Sequence, residues 1–156
     1  MKLILPTSIT FPRKTKPDKR YMLNLNVYRN LNFIVNNQMK VAFSDKIRAV
    51  YDTQSELSEG CWLTMCENKV RSLLPPPPYR FTYTLFQESK RKTDVANVCC
   101  VVAKFAEDSL ISLGIIPDDN HTVIPETIYR YGGVDKSNPR VELTIESIGG
   151  AYASSK

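Results

Sequence analysis

Four consecutive prolines, Pro75 to Pro78, divide the chain and fix what the residues after them can form. Proline has a fixed φ and no backbone N–H, so the run cannot be interior helix and reads as a stiff connector at the entrance of a strand. From Tyr79 to Gln87 the side chains alternate, with Tyr79, Phe81, Tyr83 and Leu85 against Arg80, Thr82, Thr84 and Phe86. That alternation predicts a strand. Glu88 to Thr93 is a polar turn holding Lys90, Arg91 and Lys92. Thr93 or Asp94 then caps a helix running to about Leu113, and Gly114 ends it.

The remaining elements are placed around this unit. Lys2 to Phe11 is apolar and β-branched and reads as a first strand, followed by a basic loop from Pro12 to Lys19. Tyr21 to Phe33 is rich in asparagine and reads as a loop leading into a helix. Within Asn32 to Leu57 the apolar residues recur at helical spacing, which predicts a helix ending near Thr53. Cys61 to Leu74 is left unassigned. Thr122 to Tyr131 reads as a strand interrupted by Pro125, Gly132 to Pro139 as a polar turn, and Arg140 to Ile148 as a last strand. The expected architecture is a small single α/β domain over residues 1–148, with a mixed sheet flanked by helices and a flexible tail from 149 to 156.

The formal charge of +5 favours an acidic partner. The positive residues are clustered: Arg13, Lys14, Lys16, Lys19 and Arg20 form one group, and Lys90, Arg91 and Lys92 another. A solvated loop is the plain reading of the first group; contact with phosphates is the functional one. Cys61, Cys66, Cys99 and Cys100 include no C-x-x-C pair, and His121 is the only histidine. A structural zinc site is therefore not expected. Unpaired cysteines in an apolar helix fit a reducing cytosol. The longest apolar runs are too short for a membrane span or a signal-peptide core.

Carboxylates flank the predicted 95–113 helix: Asp94 before it, Asp118 and Asp119 after it. Mg²⁺ needs only one or two carboxylates together with phosphate oxygens. Each acid also has a plain reading, Asp94 as an N-cap and the Asp118–Asp119 pair as a solvated turn. Asn97 falls on the same side of the first helical turn as Asp94. Lys104 lies about two turns beyond Asn97 on the same face and is either a solvated lysine or a contact to the scissile phosphate. Glu107 and Asp108 read as solvent-facing helix charges, and His121 as a turn residue. The functional reading requires the following strand to bring Asp119 level with Asp94.

The sequence Lys-Arg-Lys-Thr-Asp94-Val-Ala-Asn97-Val, the apolar helix with Lys104, Gly114-Ile-Ile-Pro-Asp118-Asp119-Asn, and Pro139-Arg-Val-Glu-Leu-Thr-Ile resemble the RusA-type Holliday junction resolvases, above all the phage-encoded members. The resemblance covers about residues 80 to 148 and, more loosely, Tyr21 to Asn32. It implies a cytoplasmic homodimeric endonuclease (in a bacterial host, if phage-encoded) that uses Mg²⁺ or Mn²⁺ to place paired nicks in four-way DNA. It carries the catalytic and metal-binding acids onto Asp94 and Asp119, with Asp118 beside the latter, and the helix lysine onto Lys104. Aligned from the other end of the helix, that lysine position holds Cys100. The basic residues and Asn97 would contact DNA. No small-molecule cofactor and no membrane partner are implied.

One departure bears on activity. The family pattern is Asp-x-Asp-Asn, and here Ala96 stands at the second acid; Ala103, where some phage relatives carry an acid further along the helix, is alanine too. Either Asp94 and Asp119 suffice, or an alanine has replaced an acid, first at Ala103 and second at Ala96, leaving a form that holds junctions without cutting. Two further alternatives are a protein-binding module that docks a partner through Pro75–Pro78 and Tyr79, and a single-strand binder that stacks bases on Tyr and Phe side chains.

Overall fold

The computed structural model describes residues 1–57 and 74–149. Strand β1 (Lys2–Pro6), β4 (Tyr79–Gln87), β5 (Glu126–Val134) and β6 (Arg140–Ser147) form a sheet of order β1-β6-β4-β5. The β1–β6 and β6–β4 pairs are antiparallel and β4–β5 is parallel, so the sheet is mixed, as expected. The parallel pair requires a crossover, supplied by helix α3 (Val95–Ser112).

Alternation decides which face of the sheet is covered. Leu3 and Leu5 of β1, Tyr79, Phe81, Tyr83 and Leu85 of β4, and Val141, Leu143 and Ile145 of β6 are all buried. Met39, Phe43 and Ile47 of helix α2 (Phe33–Leu57) and Val102, Phe105 and Leu110 of α3 complete the same core. Phe43 and Phe105 meet edge to face, ring centroids 5.7 Å apart, where the two helices join.

Helix α3 has the ends its sequence predicts. Asp94 is the N-cap, and its Oδ1 accepts from the N–H groups of Ala96 (3.0 Å) and Asn97 (3.4 Å). Gly114 adopts φ +69°, which lets the Ile115 N–H reach back to the Leu110 carbonyl at 2.9 Å.

Elsewhere the boundaries differ from expectation. The Lys2–Phe11 strand is broken at the buried Thr7: β2 (Ser8–Phe11) leaves the main sheet and pairs with β3 (Lys19–Met22). Pro6, lacking an N–H, closes the β1 ladder. Residues 19–22, read as the end of a loop and the start of another, are this ribbon's second strand. The asparagines that follow are caps: Asn24 Oδ1 accepts from Val27 N–H at the start of helix α1 (Leu25–Arg29), and Asn32 Oδ1 from Val35 N–H at the start of α2. Helix α2 continues to Leu57, past Thr53.

Strand β5 begins after Pro125, and residues before it form a turn in which the Val123 and Ile124 N–H groups donate to the Asn120 carbonyl. It then runs through Gly132–Gly133, where a turn was expected. A register shift opposite Leu85/Phe86 accommodates these glycines. A Cβ at Gly132 would lie 2.7 Å from both Phe86 and Thr84.

The proline run is tied to the sheet. Tyr79 Oη donates to the Pro75 carbonyl, Ser147 Oγ to that of Pro76, and the Ile148 N–H to that of Pro78. Tyr79 is 2% exposed, so it is a core residue and not the docking side chain of the protein-binding alternative. Nearly all of the Cys61–Leu74 segment, and the tail from residue 150, lie outside the described residues. No helix among the described residues is long and apolar enough to cross a membrane.

Candidate functional site

The β2–β3 ribbon holds the first basic group at its tip, with residues 13–20 all exposed. Arg20 Nε donates to Ser8 Oγ at 2.9 Å across the ribbon, and its Nη2 donates to Glu88 at 3.3 Å. Glu88 opens the turn that carries Lys90, Arg91 and Lys92. One ion pair between residues 68 apart in sequence thus joins both basic groups into one surface. Gln87 shapes the turn by donating to the Arg91 carbonyl at 2.9 Å, and the Thr93 hydroxyl donates to the same carbonyl.

This turn delivers the chain to Asp94, which is exposed at the N-terminus of α3. Asn97, expected to touch DNA, faces inward to α1, where its Oδ1 accepts from the Leu25 N–H at 2.9 Å. Asn97 therefore fixes α1, with the ribbon leading into it, against the first turn of α3. Ala96 is exposed beside Asp94, whereas Ala103 is 3% exposed within the core. An acid at 103 would have to be accommodated within the core, whereas one at 96 would stand at the surface.

The sheet's outer strand supplies a part of the surface that the sequence did not single out. Tyr129 and Tyr131 lie in register with the buried Tyr83 and Leu85, on the helix-facing side, yet are 37% and 54% exposed. Tyr131 Oη accepts from Gln87 Nε2 at 3.3 Å, which places it beside the basic turn. Further along, Tyr129 meets Tyr83 edge to face, and Tyr83 Oη donates to Glu107 at 3.1 Å.

Glu107 is not a solvent-facing charge. Burial raises its pKa to about 7, opposed by the Tyr83 hydrogen bond and reinforced by the nearby negative charges of Asp119 and Asp108. Burial, then the Glu107 charge, raises Tyr129 to about 12. A surface strip thus runs from the basic turn over two tyrosines to Glu107, with Asp94 at one end and Asp119 near the other.

The acids stand at the two ends of α3 and along it. Glu107, which feels Asp119, stands about 20 Å along α3 from Asp94. Among the described residues no three His, Cys, Asp or Glu side chains converge as a metal-binding group. Asp118 is engaged within its own turn: its Oδ1 accepts from the Asp119 N–H and its Oδ2 from the Asn120 side chain. Those bonds hold its carboxyl below the ordinary range. Lys104 is directed to Asp108, 4.0 Å away, which also takes Lys40 at 2.9 Å and so links α2 to α3. His121 is an exposed turn residue, as expected.

No family model matches the chain, and no curated protein matches it.

Proposed function

We propose that the protein is a metal-dependent, structure-specific endodeoxyribonuclease that resolves four-way DNA junctions as a homodimer in the cytoplasm, the host's if the chain is phage-encoded. The observation that carries this reading is the union of the two basic groups beside Asp94 through the Arg20–Glu88 pair. Basic residues on either side of the Arg20–Glu88 pair, with an exposed carboxylate at Asp94, attract a phosphate backbone and leave one acid to face it. Tyr129 and Tyr131 extend that surface with exposed aromatic faces. Junction choice would come from shape, with a two-fold dimer presenting the surface to two opposed strands.

Asp94 and Asp119 are the proposed metal ligands and catalytic acids, with Lys104 a weaker candidate given its pairing with Asp108. Mg²⁺ or Mn²⁺, bound by one carboxylate and the phosphate, would polarise the phosphodiester and supply hydroxide. A second reading, a junction-binding protein of the same fold that does not cut, is favoured by Ala96, an exposed alanine where a second acid would stand next to Asp94.

The test is to titrate the full chain into a four-way junction and an equal-length duplex, with and without Mg²⁺ or Mn²⁺, following binding and nicking together. Paired symmetrical nicks with metal support the nuclease. Junction-selective binding without nicks selects the silent binder. Equal affinity for junction and duplex discards both.

A further inference from the structure

A groove of about 420 Å³ lies between β3 and α1, where the basic ribbon meets the body of the domain. Met22, Val27 and Leu31 supply apolar lining and Asn26 and Asn30 polar lining, the Asn30 Nδ2 already donating to the Asn26 carbonyl. Its β3 side is cationic and aromatic: Lys19 Nζ sits 4.5 Å from the centre of the Tyr21 ring, and Arg20 is held by Ser8 and Glu88.

We infer that this groove seats a single unpaired nucleotide of a DNA strand. A nucleotide joins three chemistries that the groove offers side by side: an apolar base face, donor and acceptor groups on the base edge, and an anionic phosphate. Unstacked bases are recognised by such apolar and amide contacts, whereas a paired base within a duplex is recessed and cannot enter a concave cleft. The groove is also tied to both sides of Asp94. The Asn97–Leu25 hydrogen bond ties its α1 wall to the turn after Asp94, and the Arg20–Glu88 pair ties its β3 wall to the turn before it. A branched or bulged substrate offers such a nucleotide and a perfect duplex does not. The groove would therefore contribute to selecting DNA that departs from B-form. The inference rests on the DNA-binding part of the proposed function.

The experiment measures affinity of the full chain, without divalent metal, for three labelled DNAs: a perfect duplex, the same duplex with one bulged nucleotide, and the same bulge made abasic. The expected result is about tenfold tighter binding to the bulge with its base than to the abasic bulge. Asn26→Ala and Met22→Ala, each checked for an unchanged thermal transition, should bring that ratio below about threefold and leave duplex affinity as it was. Equal affinity for the two bulges overturns the inference and leaves the DNA-binding proposal intact. Base preference kept in both variants overturns the assignment to this groove. No binding to any of the three overturns the DNA-binding proposal, and the inference with it.

Discussion

The Glu107 carboxyl makes the stability of this protein depend on pH in an unusual direction. In the folded chain it holds its proton up to about 7, against an ordinary value of 4.5. Below pH 4.5 both folded and unfolded states are protonated, and the group contributes no pH dependence. Between 4.5 and 7 the unfolded chain has lost the proton and the folded chain has not, so raising the pH favours unfolding. Above 7 both are ionised and the loss is complete. At 1.36 kcal/mol per pH unit, the total is roughly 3 kcal/mol. Asp118, Asp135 and Glu142 have lowered pKa values and act below this window, with the opposite sign.

Glu107→Gln keeps the shape and an acceptor for Tyr83 Oη but cannot ionise. Urea unfolding followed by far-ultraviolet circular dichroism at pH 5, 6, 7 and 8 should show the wild type losing roughly 2–3 kcal/mol across the series, with the variant nearly level. Tyr83→Phe removes the hydrogen bond that favours the carboxylate, and should move the wild-type fall to higher pH. A wild-type stability that is flat or rising from pH 5 to 8, or a Glu107→Gln profile parallel to it, would refute the assignment of a buried acid here.

Three further outcomes follow from the packing. Ala96→Asp should leave stability within about 0.5 kcal/mol, being exposed, whereas Ala103→Asp should lose about 3 kcal/mol or more by burying a charge without a partner, both read from urea midpoints. If the missing second acid limits catalysis, only Ala96→Asp raises nicking of the junction. Gly132→Ala should destabilise by about 1–3 kcal/mol, because its methyl would meet Phe86 and Thr84 at 2.7 Å; thermal unfolding measures it. Cys99, fully buried with its thiol pushed up to about 12, should resist iodoacetamide at pH 8 in the native protein and react in urea, as mapped by mass spectrometry.

The elements legible in the sequence are those whose pattern and punctuation agree. Strand β4 has strict alternation after a proline run, α3 has an Asp cap and a Gly end, and β6 alternates Val141, Leu143 and Ile145; all three lie where the residues predict. Strand β3 and helix α1 were hidden because asparagine is a turn former and a helix cap alike, and only tertiary structure shows Asn24 and Asn32 capping. The break at Thr7 was equally hidden, since β-branched residues continue on both sides and the strand merely changes partner.

At the candidate site, the basic groups could be named from composition but not joined, because the Arg20–Glu88 pair depends on where the ribbon folds. Glu107 did leave a trace. It stands four residues after Ala103 and three before Leu110, both buried, so helical spacing alone puts it on the covered side, unlike Lys104 and Asp108. Tyr129 and Tyr131 left none, because alternation marks a core-facing residue without saying how much of it is covered.

Asp94 remains the residue on which the nuclease reading turns, and its role as a cap does not compete with that reading. Its Oδ1 accepts both N–H groups of the first turn, and Asn at this position caps a helix about as well as Asp. Asp94→Asn therefore changes charge with little change in structure. The carboxylate sits next to Lys90, Arg91 and Lys92, so a DNA strand drawn to those cations is brought up against a negative charge. At about 4 Å in water, one such like-charge contact costs roughly 1 kcal/mol, or about fivefold in Kd. A divalent ion between carboxylate and phosphate reverses the sign. Without divalent metal, Asp94→Asn should therefore bind the junction up to about fivefold more tightly than the wild type. With Mg²⁺ or Mn²⁺ present, it should bind more weakly and should not nick. Fluorescence anisotropy at fixed ionic strength measures both. An Asp94→Asn effect of the same sign with and without metal would show that Asp94 is a helix cap alone and that no ion joins it to DNA.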